Sequence, residues 1–133
     1  MKKILLTGCA GFIGSNFVNK ICTMTDSLEE YQFVIIDALT YAGHYPNIQK
    51  VIEKHKNLSF VKMDIRDAHA LSQLFSANHF SGVINFAAES HVDRSIDSPN
   101  IFIETNVLGT LNLLNCSLEL FKTNPEFKYL QVS

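Results

Sequence analysis

Short apolar runs alternate along the chain with longer segments in which apolar residues recur at helical spacing. The apolar runs predict five strands, at residues 3–7, 32–37, 58–63, 82–86 and 128–132. Three of these runs, ILL, FVII and VINF, lack a polar residue at every second position, so both faces of their strands are expected to be covered. The pattern predicts parallel strands joined by helices that lie on both sides of one sheet.

The segments between the strands predict helices at residues 13–24, 47–55, 68–77 and 99–122. The last is the clearest, since Ser98 is a candidate cap and Pro99 suits the first helical position. Its apolar residues cover more than one narrow stripe: Ile101, Phe102, Val107, Leu108, Leu111, Leu114, Leu118 and Phe121. Such a helix is expected to contact the sheet and a second surface, either a neighbouring helix or the partner in a homodimer.

A length of 133 residues sets a ceiling of one domain, residues 1–133. The sequence ends at Ser133, directly after the fifth predicted strand, which is expected to be buried. Because a buried strand at the end of a chain leaves a sheet face uncovered, we expect a shortened chain or a part of a longer protein.

Composition and charge argue against several classes of function. The formal net charge is -2, and Lys and Arg are scattered singly, so nucleic acid is not an expected partner. No apolar run approaches the roughly 18 residues of a membrane span. The cysteines Cys9, Cys22 and Cys116 are odd in number and widely spaced, which argues against disulfides or a metal site such as zinc. A cytoplasmic protein without a membrane partner is expected.

The most informative motif is TGCAGFIG, residues 7–14, where the first predicted strand meets the first predicted helix. Gly8 permits a tight turn, Gly11 lets the main chain approach a pyrophosphate, and Gly14 lets the helix pack closely on the strand. The helix directs free amide hydrogens and the positive end of its dipole at bound phosphates. Glycines at this spacing also occur in ordinary turns, so this motif alone is weak evidence for a dinucleotide site.

Asp37 makes the interpretation as a dinucleotide site more specific. It ends the second predicted strand, near the offset of roughly 20 residues at which a carboxylate meets the adenosine ribose hydroxyls. A carboxylate repels the 2'-phosphate of NADP, and Ala38, Leu39 and Thr40 include no arginine to receive one, so the predicted cofactor is NAD. The predicted fold class is α/β, a Rossmann-like doubly wound parallel sheet whose five strands belong to a larger sheet.

Two further strand ends point to the same edge of the sheet, where ligands of open parallel sheets bind. Asp64 is a candidate acceptor for the adenine amino group, and Ile65 is a candidate cover for the ring. Asp67 is the better candidate for capping the next helix, which leaves Asp64 free for that role. Ala87 and Ala88, after the fourth strand, are small enough for close approach of a cofactor.

Together these residues resemble the extended short-chain dehydrogenases, whose glycine motif is TGxxGxxG. Within that class the chain is similar, over residues 3–133, to the sugar-nucleotide 4,6-dehydratases that act on dTDP-glucose. Three segments carry the similarity: DALTYAG at residues 37–43, AAESHVDRSI at 87–96 and FIETNVLGT at 102–110. The resemblance implies NAD as cofactor, a dTDP-sugar as substrate, and a product that feeds rhamnose and other deoxysugars.

The resemblance also implies roles for individual residues. With the glycine loop and Asp37, the residues expected to bind NAD are Gly8, Gly11, Phe12, Ile13, Gly14, Asp37, Ala38, Leu39, Thr40, Asp64, Ile65, Phe86, Ala87, Ala88, Glu89, Ser90 and Thr105. The residues expected to contact the sugar nucleotide are Ser90, Asp93 and Arg94.

Several positions in these motifs admit a second interpretation. Residues 90–94 contact the ligand or form a solvated loop with a local Asp93–Arg94 ion pair, and His91 is active or simply packed. Asn106, inside an apolar helix, is expected to bond main chain near the site rather than lie on the surface. Cys9 stands where this class usually has glycine, and a tolerated small side chain is favoured over a redox thiol of lowered pKa.

In the reaction of the family, a tyrosine activated by a lysine four positions later removes the 4-hydroxyl proton as hydride passes to NAD. A glutamate and an aspartate then remove water across C5 and C6 before hydride returns. No tyrosine in this chain has a lysine four positions later, and the triplet Thr-Asp-Glu is absent, so no catalytic residue is assigned and the chain alone is expected to be inactive. The alternatives are an NAD-dependent NDP-sugar epimerase and a non-catalytic nucleotide-binding module.

Overall fold

Five parallel strands form one sheet in a computed structural model that describes residues 1–24 and 28–133. The strands are β1 (Lys2–Thr7), β2 (Tyr31–Asp37), β3 (Leu58–Lys62), β4 (Gly82–Asn85) and β5 (Lys128–Gln131). Their order across the sheet is β3-β2-β1-β4-β5. This order reverses direction between β1 and β4, as in doubly wound sheets, so the predicted α/β class with a doubly wound parallel sheet is confirmed, while the larger sheet stays a prediction.

Helices connect the strands on both faces of the sheet. They are α1 (Phe12–Ile21), α2 (Pro46–Lys54), α3 (Ala68–Ala77), α4 (Val92–Asp97), α5 (Pro99–Phe102) and α6 (Thr110–Thr123), and a π-helical stretch, the π segment (Ile103–Gly109), joins α5 to α6. Leu5 of β1 lies in a core cluster with Leu71 of α3 and Leu113 of α6. Its neighbour Leu6 lies in a second cluster, with Val18 of α1, on the other face. Both faces of the central strands are therefore covered, as the uninterrupted apolar runs predict.

The fifth strand differs from its expected environment. The expectation of a buried strand is wrong, because β5 is last in the sheet order and pairs with β4 alone among the described strands. Leu130 of this strand is 55% exposed. A short apolar run predicts that a strand forms, but it does not predict the strand's place in the sheet.

The predicted long helix at residues 99–122 is present but is neither uniform nor capped as expected. Pro99 does occupy the first helical turn, as predicted. Ser98 precedes it, but its side chain makes no capping hydrogen bond to any described residue. The π segment then widens the helix, because its hydrogen bonds span five residues instead of four. Helix α4 was not predicted, since its six residues VDRSID have no clear apolar period.

Candidate functional site

The turn between β1 and α1 depends on two glycines for different reasons. Gly8 has a φ of +70°, and a Cβ atom there would lie 2.4 Å from the main-chain nitrogen of Ala87. A Cβ atom on Gly14 would lie 2.6 Å from both the Cα of Cys9 and the carbonyl oxygen of Gly8. Gly8 therefore lets β1 approach the loop after β4, and Gly14 lets α1 lie against the turn. At Gly11 the nearest atom to an added Cβ is 3.5 Å away, so the fold itself does not require glycine there.

Asp37 organises two loops from the end of β2. Its Oδ2 accepts a hydrogen bond from the N–H of Ala10 at 2.9 Å, inside the glycine loop. Its Oδ1 accepts one from the N–H of Leu39 at 2.8 Å, which holds Leu39 at a φ of 55°. The residue is 8% exposed and lines the cavity described below. Each carboxylate oxygen keeps acceptor capacity beyond its main-chain bond.

The loop after β3 holds Asp64 more tightly than the sequence suggested. The guanidinium of Arg66 donates to both carboxylate oxygens of Asp64, with Nη2 at 2.7 Å from Oδ2 and Nε at 3.1 Å from Oδ1. Arg66 also reaches Glu104 in the π segment, at 3.2 Å. Partial burial raises the pKa of Asp64, but the hydrogen bonds and charge of Arg66 outweigh burial and leave it below its usual value. Asp67 caps α3 as predicted, accepting from the N–H of Ala70 at 2.9 Å, so Asp64 is not used as the cap, but it is bound to Arg66, which the sequence did not indicate.

Buried polar side chains fix the loop after β4 to the sheet. Asn85 and Thr7 are fully buried neighbours whose side chains are hydrogen-bonded to each other. The Oδ1 of Asn85 also accepts from the N–H of Ala87 at 3.0 Å, and its Nδ2 donates to the Oε1 of Gln131 at 2.9 Å. The carboxyl ends of β1, β4 and β5 are thus joined by one network.

Asn106 contacts this loop from the π segment. Its Oδ1 accepts from the N–H of Glu89 at 2.8 Å, and its Nδ2 donates to the carbonyl oxygen of Glu89 at 2.9 Å. The prediction that Asn106 bonds main chain near the site is confirmed. Glu89 is 6% exposed, and its Oε2 atom is buried without a hydrogen-bond partner among the described residues.

These loops enclose a cavity of about 480 Å³ at the point where the strand order reverses. Ligand sites in open parallel sheets lie at this point, and pockets for small ligands are of roughly 300–1,000 Å³. The expected NAD-binding residues that line the cavity are Gly8, Gly11, Phe12, Ile13, Gly14, Asp37, Ala38, Thr40, Asp64, Ile65, Phe86, Ala87, Ala88, Glu89, Ser90 and Thr105. Phe12 and Ile13 are 84% and 60% exposed, so both side chains are accessible to a ligand in this cavity.

Three of the expected residues lie outside this cavity. The side chain of Leu39 packs against the core cluster on the α1 side of the sheet. Asp93 and Arg94 lie on α4, where Arg94 is stacked over the ring of Tyr41 with its guanidinium carbon 3.8 Å from the ring centre. Among the residues that the structure describes, Asp93 forms no ion pair with Arg94, so the alternative of a local pair is wrong. The rings of His91 and Tyr41 are perpendicular, with their centres 6.1 Å apart.

The cavity also has lining residues that the sequence did not indicate. They are Ile36, Ala42, Gly43, Met63, Arg66, Val132 and Ser133. Gly43 reaches the cavity because its loop folds back onto β2, where an added Cβ would lie 2.7 Å from Oδ1 of Asp37. The motif DALTYAG includes Gly43, but its sequence does not indicate that the loop folds back onto the end of β2.

Cys9 is enclosed beneath the glycine loop. It has no exposed surface, and burial, together with the charge of Asp37, raises the pKa of its thiol. The alternative of a thiol with a lowered pKa is therefore wrong, and the interpretation as a small buried side chain is favoured. Within residues 1–24 and 28–133, no cluster of three potential metal ligands occurs, and no helix has the length and apolar character needed to cross a membrane.

The sheet order, the glycine turn and the cavity at the reversal point define a Rossmann-type α/β protein. More narrowly, the chain belongs to the GDP-mannose 4,6 dehydratase family, whose sequence model matches residues 5–133.

Individual relatives agree with this assignment. A dTDP-glucose 4,6-dehydratase of Xanthomonas campestris pv. campestris is 43% identical over 134 residues, which cover 97% of this chain and 36% of that protein. The crystal structure of dTDP-glucose 4,6-dehydratase from Bacillus anthracis in complex with NAD matches with a TM-score of 0.75 and 41% identity, covering 100% of this chain and 37% of that one.

A more distant relative has a different activity. The UDP-glucose 4-epimerase of Thermotoga maritima, solved with UDP-glucose, matches with a TM-score of 0.74 and 30% identity, covering 89% of this chain and 34% of that one. The chain thus spans a little over a third of the length of the relatives it matches.

Proposed function

We propose that this chain is the NAD-binding portion of a dTDP-glucose 4,6-dehydratase, which converts dTDP-glucose to dTDP-4-keto-6-deoxyglucose. The observation that carries the proposal is the cavity at the reversal point, lined by the glycine turn and by Asp37. The NAD complex of the Bacillus anthracis dehydratase supports the choice of cofactor. Bound NAD would accept a hydride from the sugar and return it, so that it is regenerated in each turnover.

Separate groups of residues in this chain would hold the pyrophosphate and the adenosine of NAD. The turn at Gly11 and the exposed start of α1 give the pyrophosphate access to main-chain N–H groups. Each carboxylate oxygen of Asp37 accepts one hydrogen bond from a main-chain N–H group. Each oxygen would accept a further hydrogen bond from the ribose hydroxyls. Its negative charge would repel a 2'-phosphate, which supports NAD over NADP. Asp64, held by Arg66, would present its remaining acceptor capacity to the adenine.

Calorimetric titration of the purified chain with NAD and with NADP tests this site. We expect NAD to bind at least about tenfold more tightly than NADP. Asp37→Asn should reduce this difference in affinity, because it removes the negative charge that repels the 2'-phosphate of NADP. Asp97→Asn, on the exposed helix α4, is the matched control and should leave both affinities unchanged. Equal affinity for both cofactors would overturn the NAD preference, and no binding of either would overturn the proposed function.

The closer similarity to dehydratases favours that activity over epimerisation. The Bacillus anthracis dehydratase is 41% identical to this chain, whereas the Thermotoga maritima epimerase is 30% identical. Ser90, exposed at the rim of the cavity, is proposed to face the sugar nucleotide. For Asp93 and Arg94, which lie outside the cavity on α4, a contact with the substrate stays a prediction.

We further propose that the chain forms a homodimer through one face of the π segment and α6. An apolar stripe of exposed side chains follows this face: Ile103, Val107, Leu111, Leu114, Leu118 and Phe121. Each is between 43% and 57% exposed, and their spacing of three and four residues keeps them on one side of the helix. A stripe of this kind can pack against its own copy about a two-fold axis.

Light scattering coupled to size-exclusion chromatography tests the dimer. Leu111→Glu in the middle of the stripe should shift a dimer to monomer, because association would bury an unpaired charge. The control is Ser72→Glu, which adds the same charge to an exposed position of α3. A monomeric wild-type chain would contradict the proposed dimer.

We also propose a cytoplasmic location and a role in a deoxysugar pathway such as that of rhamnose. All three cysteines are free thiols, which suits a reducing compartment. The net charge of -2 gives no support to nucleic acid as a partner.

A further inference from the structure

One helical unit, formed by the π segment and α6, reaches loops on both sides of the cavity. Its asparagine Asn106 binds the loop after β4, and its asparagine Asn112 binds the loop after β3. The loop after β4 leads to this unit through α4 and α5, whereas α3 and β4 also lie between the loop after β3 and the unit. These two side chains link parts of the cavity wall that the sheet alone would leave independent.

The contact of Asn106 resembles the pairing of a neighbouring strand. The amide accepts from the N–H of Glu89 and donates to the carbonyl oxygen of the same residue, at 2.8 and 2.9 Å. Both polar groups of this main-chain position are therefore satisfied by one side chain. Its place in the π segment is relevant, because single π-helical turns occur frequently at functional sites.

Asn112 makes the corresponding contact on the other side. Its Nδ2 donates to the carbonyl oxygens of Ile65 and Arg66 at 3.0 and 3.2 Å. Ile65 and Arg66 both line the cavity. The loop after β3 thus has its main chain tied to the same helical unit as the loop after β4.

The two loops belong to different halves of the fold. A doubly wound sheet binds a dinucleotide across its reversal point, and each half of the sheet serves one mononucleotide. β3 lies in the first half, with the glycine turn, and β4 lies across the reversal point from it. We propose that Asn112 is a positioning residue for the adenosine half of NAD and Asn106 one for the nicotinamide half. This inference rests on the proposed function.

Titration calorimetry of the chain with NAD and with AMP separates these roles. Asn106→Ala should weaken NAD binding roughly tenfold, through loss of two hydrogen bonds, and leave AMP binding unchanged. Asn112→Ala should weaken NAD and AMP by the same factor. Asn115→Ala is the matched control, since Asn115 is exposed on α6 and makes no side-chain hydrogen bond to the described residues.

A second measurement needs no ligand. Amide hydrogen exchange at Glu89 should be accelerated in Asn106→Ala but not in Asn112→Ala or Asn115→Ala, because only the first removes the acceptor of that N–H. Asn106→Asp keeps this acceptor and should restore slow exchange.

The outcomes distinguish a failure of the positioning roles from a failure of the proposed function. A wild-type chain that binds neither NAD nor AMP overturns the proposed function, whatever the exchange result. A wild-type chain that binds both, with Asn106→Ala weakening NAD and AMP equally, overturns the positioning roles and indicates a general structural effect. Unchanged exchange at Glu89 in Asn106→Ala also overturns the role of Asn106.

Discussion

Gly11 and Gly14 lie in the same turn, but the surrounding atoms give them different tolerances. We expect Gly14→Ala to lower the free energy of unfolding by about 1–3 kcal/mol or more, because its Cβ would collide with main chain. Gly11→Ala should change that free energy by less than about 1 kcal/mol, yet weaken NAD binding by about tenfold or more, since the methyl group would occupy the approach of the pyrophosphate. Urea unfolding and calorimetric titration measure the two effects. A Gly11→Ala variant that binds NAD normally would contradict this assignment.

Asp64 should make a pH-dependent contribution to stability. Arg66 leaves its pKa below the usual value despite partial burial, so the contribution is present above the unfolded-state pKa of roughly 3.9 and is lost as the pH falls through the folded-state pKa. The pair is about a third exposed, which limits the contribution to under about 1 kcal/mol. Wild type should therefore exceed Asp64→Asn in urea unfolding at neutral pH, and the difference should disappear in acid. A difference that is unchanged in acid would show that the lost contribution is not electrostatic.

At the scale of the helices, two residues at similar positions should differ in their contribution to stability. Asp67→Ala should lower the free energy of unfolding by about 1 kcal/mol, because Asp67 accepts a hydrogen bond from the first turn of α3. Ser98→Ala should cost little, since the Ser98 side chain makes no capping bond among the described residues. Thermal or urea unfolding of both variants checks the pair. Equal losses would mean that Ser98 forms its cap in solution.

Elements determined by local pattern could be predicted from the sequence. The glycine turn, the buried strands and the Asp67 cap depend on residues close together in the chain, and their signals were sufficient. The edge position of β5 depends on sheet order, and apolar content does not report that order. The π segment also escaped prediction, because its residues IETNVLG continue an ordinary helical pattern.

The candidate site also contains some residues that the sequence predicts and others that it does not. Residues that follow a strand, such as Asp37 and Ala87, could be placed at the cavity because parallel strands end at one edge. Asn112 could not, because α3, β4, α4, α5 and the π segment lie between Ile65 and α6 in the chain. Arg66 was also missed, since the sequence gave no sign that it pairs with Asp64.

For the whole molecule, we expect the 133-residue chain to bind NAD without converting dTDP-glucose. No tyrosine in the chain has a lysine four positions later, and proton transfer from the sugar requires a positioned group. Chromatographic assay for the 4-keto product, with the Xanthomonas campestris dehydratase as positive control, tests this expectation. Product formation by the purified chain would contradict it.

The contact between Gly8 and Ala87 limits how this family of sequences can vary. An added Cβ at position 8 would meet the main-chain nitrogen and Cα of Ala87, not its side chain. Replacing Ala87 with glycine would leave those atoms where they are, so no second substitution at that position can relieve the clash. In a library randomised at both positions, functional variants would retain glycine at position 8 whatever stands at position 87, and the pair would show no covariation despite its close contact.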